Sequence, residues 1–258
     1  MQKLKYKNEP IVVLFGGAGR ENVIFKLIKR NFNLKKIIFP SKLSVKLKKS
    51  FLKLEKTKVG MIKTKPKQLI AVLKKYKKCA LLSVGFPYII PEEILSNFTL
   101  ALNLHPTLLP KYRGPSTGAY ILMNNEKKTG STIHLMTKEV DGGDILGRDY
   151  VKLNAFDTIK SMQKKVYRLE PNLILSVFKK LKKGLKTVKQ NKKYALTFKK
   201  VRKPEDSKIN FHKPLINLIN EIRACDAKKF PAYFIYKKQK VCIKLWRPNK
   251  SKKQNDEL

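Results

Sequence analysis

Ile11-Val12-Val13-Leu14-Phe15-Gly16-Gly17-Ala18-Gly19-Arg20 is the stretch on which the fold turns. Five apolar residues run without alternation, which suits a strand buried on both faces, and the glycines behind them permit a tight reversal. Val23, Ile24, Leu27 and Ile28 then recur at helical spacing. Outward from this unit, residues 36–39 and 80–83 read as short buried strands, with Leu69, Ile70 and Leu73 marking an amphipathic helix between them. Strands alternating with helices predict an α/β, Rossmann-like fold: a mostly parallel sheet covered by helices on both faces.

Further along, Pro91 opens a helical turn with Glu92 and Glu93 behind it to complement the positive helix end. Residues 100–103 read as a strand that delivers Asn103 and His105 at its carboxyl end, where open parallel sheets bind ligands. A strand over 131–136 leads to the turn Val140-Asp141-Gly142-Gly143-Asp144, and Asp157-Thr158 caps a long helix running through Leu181 and closed by Gly184. Beyond that glycine the texture changes. The expected organisation is a main domain over 1–185, a charged linker over 186–193 and a small C-terminal β-rich domain over 194–258. Its strands are expected at 195–198, 232–236 and 241–247, with one helix at 215–224. No internal repeat is evident.

The 258 residues carry 59 Lys and Arg against 18 Asp and Glu, a formal net charge of +41. Such a balance suggests a polyanionic partner. Only eight of the cations are Arg, the residue whose planar fork reads phosphates and base edges, and the lysines are spread through nearly every segment. A solvated lysine surface is the plainer reading. Cys79, Cys225 and Cys242 are odd in number and lack CxxC spacing, so the sequence supports neither a disulfide framework nor a zinc site. Residues 1–10 contain no apolar signal-like core, and no run of 18 apolar residues occurs, so a cytoplasmic location without a membrane partner is expected. Asn255-Asp256-Glu257-Leu258 resembles a retention tail but has no secretory signal to give it meaning.

Three histidines make the search for a general acid or base short. His105 lies in Asn103-Leu104-His105-Pro106-Thr107-Leu108-Leu109-Pro110, and strand alternation puts Asn103 and His105 on one face. A satisfied turn histidine is an equally open reading of His105. His134 alternates with apolar neighbours and reads as a core or supporting residue, whereas His212 reads as a surface residue. Asp141, in a glycine-rich turn, is a weak candidate by itself. The glycine turn at 16–20, with Gly17, Gly19 and Arg20 at a helix N-terminus, could hold a phosphate, although a glycine turn after a first strand is often only a tight connection.

Taken together, the blocks Asn103 to Gly114, Gly130-Ser131-Thr132-Ile133-His134 and Val140 to Leu146 resemble the core signature of the formyltetrahydrofolate-dependent formyltransferases. That family includes glycinamide ribonucleotide, methionyl-tRNA and nucleotide-sugar N-formyltransferases. The resemblance covers residues 11 to about 184 and continues more loosely at 203–210, 222–224 and 244–247, as in the C-terminal domain of the tRNA and sugar branches. It implies Asn103, His105 and Asp141 as the catalytic set, with 10-formyltetrahydrofolate as formyl donor and no metal.

By the same resemblance the folate lies along Phe86, Pro87, Tyr88, Ile89 and Ile90 and the turn from Thr137 through Val140, with Phe86 or Ile90 against the pterin. Pro87 and Tyr88 depart from the commoner residues there. Thr107 and Arg113 join the glycine turn as acceptor-binding candidates, and Thr132 and His134 support the centre. The acceptor is then a small amine such as a nucleotide amino sugar, favoured by the glycine turn, or methionyl-tRNA, favoured by the C-terminal extension and the positive surface. A nucleic-acid-binding protein on the same scaffold without catalysis is the third reading.

Overall fold

The structure is a computed structural model that describes residues 3–250. The chain runs β1 (Lys3–Leu4), β2 (Ile11–Phe15), α1 (Asn22–Lys29), β3 (Leu34–Pro40), α2 (Val45–Glu55), β4 (Met61–Thr64), α3 (Pro66–Lys74), β5 (Ala80–Val84) and α4 (Glu92–Leu95). It continues through β6 (Leu100–His105), α5 (Thr117–Met123), β7 (Lys128–Leu135), β8 (Ile145–Lys152), α6 (Ile159–Lys183) and β9 (Leu185–Lys186), then α7 (Leu215–Arg223), β10 (Ala232–Tyr236) and β11 (Gln239–Ile243).

Seven strands form one sheet in the order β4-β3-β2-β5-β6-β7-β8. Pairings from β4 through β6 are parallel, and β7 and β8 close one side as antiparallel neighbours. The expected Rossmann-like architecture is therefore present with an antiparallel margin. Strand β2 shows why its sequence has no polar alternation. Ile11, Val13 and Phe15 enter the core packed under α1 and α6, while Val12 and Leu14 enter the opposite core with Leu69 and Leu73 of α3 and Ile94 of α4. Both faces are dry, so each position must be apolar.

Helix α6 is the long spine of the first core. Thr158 accepts from Ser161 N, and the Ser161 hydroxyl closes a reciprocal capping box at its start. Gly184 ends it at φ +89, a backbone geometry that suits glycine. Leu173, Ile174, Val177, Phe178 and Leu181 face the sheet. Alanine at Phe178, which is fully buried, would cost about 3–5 kcal/mol.

Three parts of the expected layout change. Residues 186–193 are no free linker: β9 pairs with β1, Val188 and Ile145 exchange backbone hydrogen bonds, and Thr187 is buried with its hydroxyl on Asp144 at 2.7 Å. The segment 195–198, expected as a strand of the small domain, instead lies along the loop after β6, with Arg113 N donating to Leu196 O and Phe198 N to Arg113 O. The last expected strand is shorter, Gln239–Ile243. The C-terminal unit has its own small core of Ile209, Leu218, Ile222, Cys225 and Ala232. It is pinned to the first domain by the buried Arg223, which donates to the carbonyls of Leu122, Asn154 and Asp157. The tail at Asn255–Leu258 lies outside the described residues.

Candidate active site

Strand register assembles the centre. Asn103 lies opposite His134 and His105 opposite Thr132 across the antiparallel β6–β7 pair, which places these four side chains on one face. Their neighbours Leu104 and Ile133 turn the other way into the core under α6. The turn after β7 then brings Asp141 across the end of β6. Asp141 adopts φ +52, a left-handed conformation that Asp tolerates better than most residues.

The contacts are short and mutual. Asn103 Nδ2 donates to Asp141 Oδ1 at 3.0 Å and lies 3.1 Å from His134 Nε2. His105 Nδ1 is 3.4 Å from Asp141 Oδ2, which also accepts from Gly114 N at 2.8 Å, and His134 Nε2 is 3.3 Å from Asp141 Oδ1. The other ring nitrogens settle the tautomers. His105 Nε2 meets Tyr112 O at 2.9 Å and His134 Nδ1 meets Leu135 O at 2.7 Å, and since carbonyls only accept, both of those nitrogens carry protons. His134 Nε2 is then free to accept from Asn103, whereas His105 Nδ1 faces a carboxylate and is stabilised by holding a proton there.

Charge and burial oppose each other at this pair. Burial pulls His105 below the ordinary imidazole value; the Asp141 carboxylate and the bond to Tyr112 push it back up, and His134 and Arg20 pull it down again. For Asp141, burial would raise the carboxyl, but His105, His134 and the Gly114 N–H overcome it and hold the group well below the usual carboxylate range. The balance leaves His105 below the ordinary imidazole value and Asp141 ionised beside it, so the two groups titrate as a pair.

Prediction and structure differ at Asn103. A catalytic role for Asn103, implied by the resemblance, needs an amide N–H that can reach a ligand, yet both hydrogens are engaged inside the cluster, by Asp141 and by His134. His134 thus contacts the carboxylate and amide directly, a closer role than its apolar neighbours in the sequence suggested.

The loop from Pro106 to Gly114 is held from several sides. Thr132 Oγ1 donates to Thr107 O at 2.7 Å and accepts from Leu109 N at 3.1 Å, and Arg148 Nη1 donates to Leu109 O. Tyr112 donates its hydroxyl to Glu126, and burial together with that carboxylate pushes the phenol up to about 12, so it stays a donor. A Cβ on Gly114 (φ +91) would lie 1.9 Å from Phe198 O, which makes glycine obligatory at this contact. Thr107, expected to bind an acceptor, is fully buried with its hydroxyl on Lys111 O and Tyr112 O; it fixes the turn.

The phosphate site expected at the glycine turn is not there. Gly16 N and Gly17 N both donate to Val84 O, Ala18 N to Gly16 O, Gly19 N to Ser50 Oγ and Arg20 N to Gly17 O. No amide of the turn is left to cradle an anion. Arg20 is 2% exposed and faces inward, where Nε and Nη2 grip the fully buried Glu170 at 2.7 and 2.6 Å and Nη2 also donates to Leu104 O at 2.9 Å. Ser131 joins Glu170 to His105 O. The pair braces the backbone of β6 behind the centre. Arg113 is likewise buried, on Glu139 and Gln190, and does not present its guanidinium to a ligand.

Of the expected folate-binding residues, Phe86 and Tyr88 are half-buried and meet edge to face at 5.1 Å, while Pro87 is exposed. Ile90, expected to pack on a ring, is consumed by the second core; Ile89, 76% exposed, and Val140, 45% exposed, are the apolar side chains left facing outward. Thr137 is exposed with its hydroxyl on Glu139 O. Among the described residues no group of three or more His, Cys, Asp or Glu is arranged to hold a metal ion, and no helix is long and apolar enough to cross a membrane.

Comparison with known families decides the lineage. Residues 41–178, more than half the chain, match the family described as formyl transferase, and residues 202–257 match its C-terminal domain. The chain belongs to the formyl transferase family. It is 31% identical over 163 residues to methionyl-tRNA formyltransferase of Thermotoga maritima, covering 63% of this chain and 52% of that one. It is 36% identical over 184 residues to the bifunctional polymyxin resistance protein ArnA of Wigglesworthia glossinidia brevipalpis, covering 69% of this chain and 27% of that one. The chain spans about half the length of the methionyl-tRNA formyltransferases it matches.

Among solved structures, a 4-N formyltransferase from Francisella tularensis superposes with a TM-score of 0.76 at 22% identity, over 93% of this chain and 98% of that one. An N-formyltransferase from Helicobacter canadensis, solved with folinic acid and dTDP-3-aminofucose, gives 0.68 at 21% identity over 90% and 86%. These likenesses establish a shared fold over the N-terminal and C-terminal parts alike.

Proposed function

We propose that this formyl transferase family member moves a formyl group from 10-formyltetrahydrofolate to a primary amine. The observation that carries the reading is the convergence of Asn103 and His105 on Asp141, 38 residues from Asn103 in the chain, at 3.0 and 3.4 Å from its two carboxylate oxygens at the carboxyl end of a sheet strand. Attack of an amine on the formyl carbon puts negative charge on the formyl oxygen. A proton held at His105 Nδ1 and an Asn103 N–H released from His134 or Asp141 would stabilise that oxygen by several kcal/mol. Burial works against the imidazolium and Asp141 works for it; an oxygen gathering negative charge adds to the side of Asp141. With both His105 nitrogens holding protons, the proton lost by the amine goes to the Asp141 carboxylate. Ile89 and Val140 offer an apolar edge to a pterin.

A nucleotide-linked amino sugar is the acceptor we favour. The glycine turn no longer supports it; the support is the near-complete superposition on a 4-N formyltransferase and on a relative solved with a dTDP-amino sugar. A recess of about 260 Å³ near the loop after β6, lined by Ser116, Lys46, Lys203 and Lys229 among others, has the charge to receive an anionic group of such an acceptor. Methionyl-tRNA is the second reading, supported by the curated relatives and by the lysine surface. Incubation with 10-formyltetrahydrofolate and a panel of amines, following the released folate and the acceptor mass, tests both. Formylation of a nucleotide amino sugar with no tRNA retained at moderate salt upholds the first; formylated methionyl-tRNA upholds the second. No formyl transfer to any amine removes the reading.

A further inference from the structure

We propose that Gln190, in the segment between the two domains, is a positioning residue for the formyl-transfer centre, holding the Asp141 turn so that its carboxylate meets His105 and Asn103. The inference rests on the function proposed above. Asp141 sits at φ +52, a left-handed conformation that Asp tolerates better than most residues but that still carries strain its partners must hold. Gln190 supplies the enforcement. Its Nε2 donates to Asp141 O at 2.8 Å and to Gly143 O at 2.7 Å, and its Oε1 accepts from Arg113 Nε at 3.1 Å and Nη2 at 2.8 Å. Both amide hydrogens and the oxygen are used, and a flipped amide would set oxygen against two carbonyls and NH2 against a guanidinium, so chemistry fixes the orientation.

The clamp extends through Arg113. This residue is 2% exposed, reaches Glu139 in the Asp141 turn with its remaining nitrogen, and exchanges backbone bonds with Leu196 and Phe198. One carboxamide and one guanidinium therefore tie together the loop after β6, the turn after β7 and the chain leading to the C-terminal domain. Every hydrogen bond of the Gln190 side chain goes to a main-chain carbonyl or to Arg113, so its influence on the chemistry passes through the backbone of Asp141.

The ionisable groups around His105 are Asp141 from the turn, His134 from β7 and Arg20, itself paired with Glu170 of α6. Of these charged groups Asp141 alone raises the imidazole, beside the hydrogen bond to Tyr112 O, so a slackened turn lowers it. The test is an NMR titration of the imidazole C–H signals, which with three histidines are readily assigned, in the unaltered protein, Gln190→Ala and Gln190→Met, with Asp141→Asn as reference. Rates of formyl transfer are measured alongside. Met keeps the volume and removes the hydrogen bonds.

Both Gln190 variants are expected to lower the His105 pKa by about half a unit or more, toward the value in Asp141→Asn. They should also lower kcat roughly 10- to 100-fold while KM for the folate moves less than about threefold. Titration below each variant's melting transition keeps a loss of stability from registering as a shift. A His105 titration unmoved in both variants, a kcat within about twofold, or full rescue by Met overturns the proposal. Absence of formyl transfer by the unaltered protein would remove the functional reading, and the His105 titration would still decide whether the clamp exists.

Discussion

The turn at residues 16–20 and the turn at residues 137–143 look alike in the sequence: each is glycine-bearing, follows a sheet strand and carries charge, Arg20 in the first and Lys138, Glu139 and Asp141 in the second. In the structure they are opposites. Around Arg20 the amides at 16 through 20 are paired and the guanidinium points inward to Glu170. Around Asp141 the carboxylate is turned toward three polar side chains and one backbone N–H, and it owes its place to partners outside its own turn. Glycine content does not distinguish a binding turn from a brace. Accounting for every donor does.

The contrast predicts separable consequences. Asp141→Ala should lower turnover about a thousandfold, equivalent to roughly 4 kcal/mol of activation free energy, while thermal unfolding changes little; near-normal turnover would sink the assigned role. Arg20→Leu should do the reverse. It strands a fully buried carboxylate, so the denaturation midpoint should fall by an amount corresponding to about 3–5 kcal/mol, and Glu170→Gln added to it should recover part of the loss. A stable Arg20→Leu protein that had lost affinity for a phosphorylated acceptor would restore the phosphate site.

Gly114→Ala joins both behaviours, because its Cβ meets Phe198 O and its φ is positive. Stability should drop by about 1–3 kcal/mol and turnover with it, since Gly114 N holds Asp141. The smallest effect is at the cap of α6. Thr158→Ala should cost about 1 kcal/mol in chemical denaturation and leave kcat unchanged, being attached to neither turn.

How much of this the sequence disclosed follows from the range of the interactions. Period and capping are local, so β2, the long helix from Thr158 to Gly184 and the helix at 215–223 were legible as pattern. Helix α2 was not, because Lys46, Lys48, Lys49 and Lys53 hide a buried stripe of only Leu47, Ser50 and Leu54. Alternation put Asn103 and His105 on one face. Nothing local could give the β6–β7 register that sets His134 beside Asn103, and the family resemblance, not the turn itself, singled out Asp141.

The misreadings have a single cause. Charged and hydroxyl side chains are usually outward, which makes Arg20, Arg113 and Thr107 read as open to a ligand; each is buried, the two arginines on partners from distant segments and Thr107 on the carbonyls of its own turn. Gln190 was missed for the converse reason. It lies in a lysine-rich connector with no periodicity, and the only hints were Thr187 and Val188, uncharged residues in a charged run that prove to be buried and sheet-paired respectively.

The central claim is that His105 and Asp141 act as one proton-sharing unit at the formyl carbon. Turnover of the His105→Ala/Asp141→Ala double variant, set against the two single variants, tests it most directly. Residues acting as a unit lose their function once, so the double variant should be about as slow as the slower single variant. A double variant slowed by the product of the two separate losses would show that the side chains contribute independently, and would contradict the account.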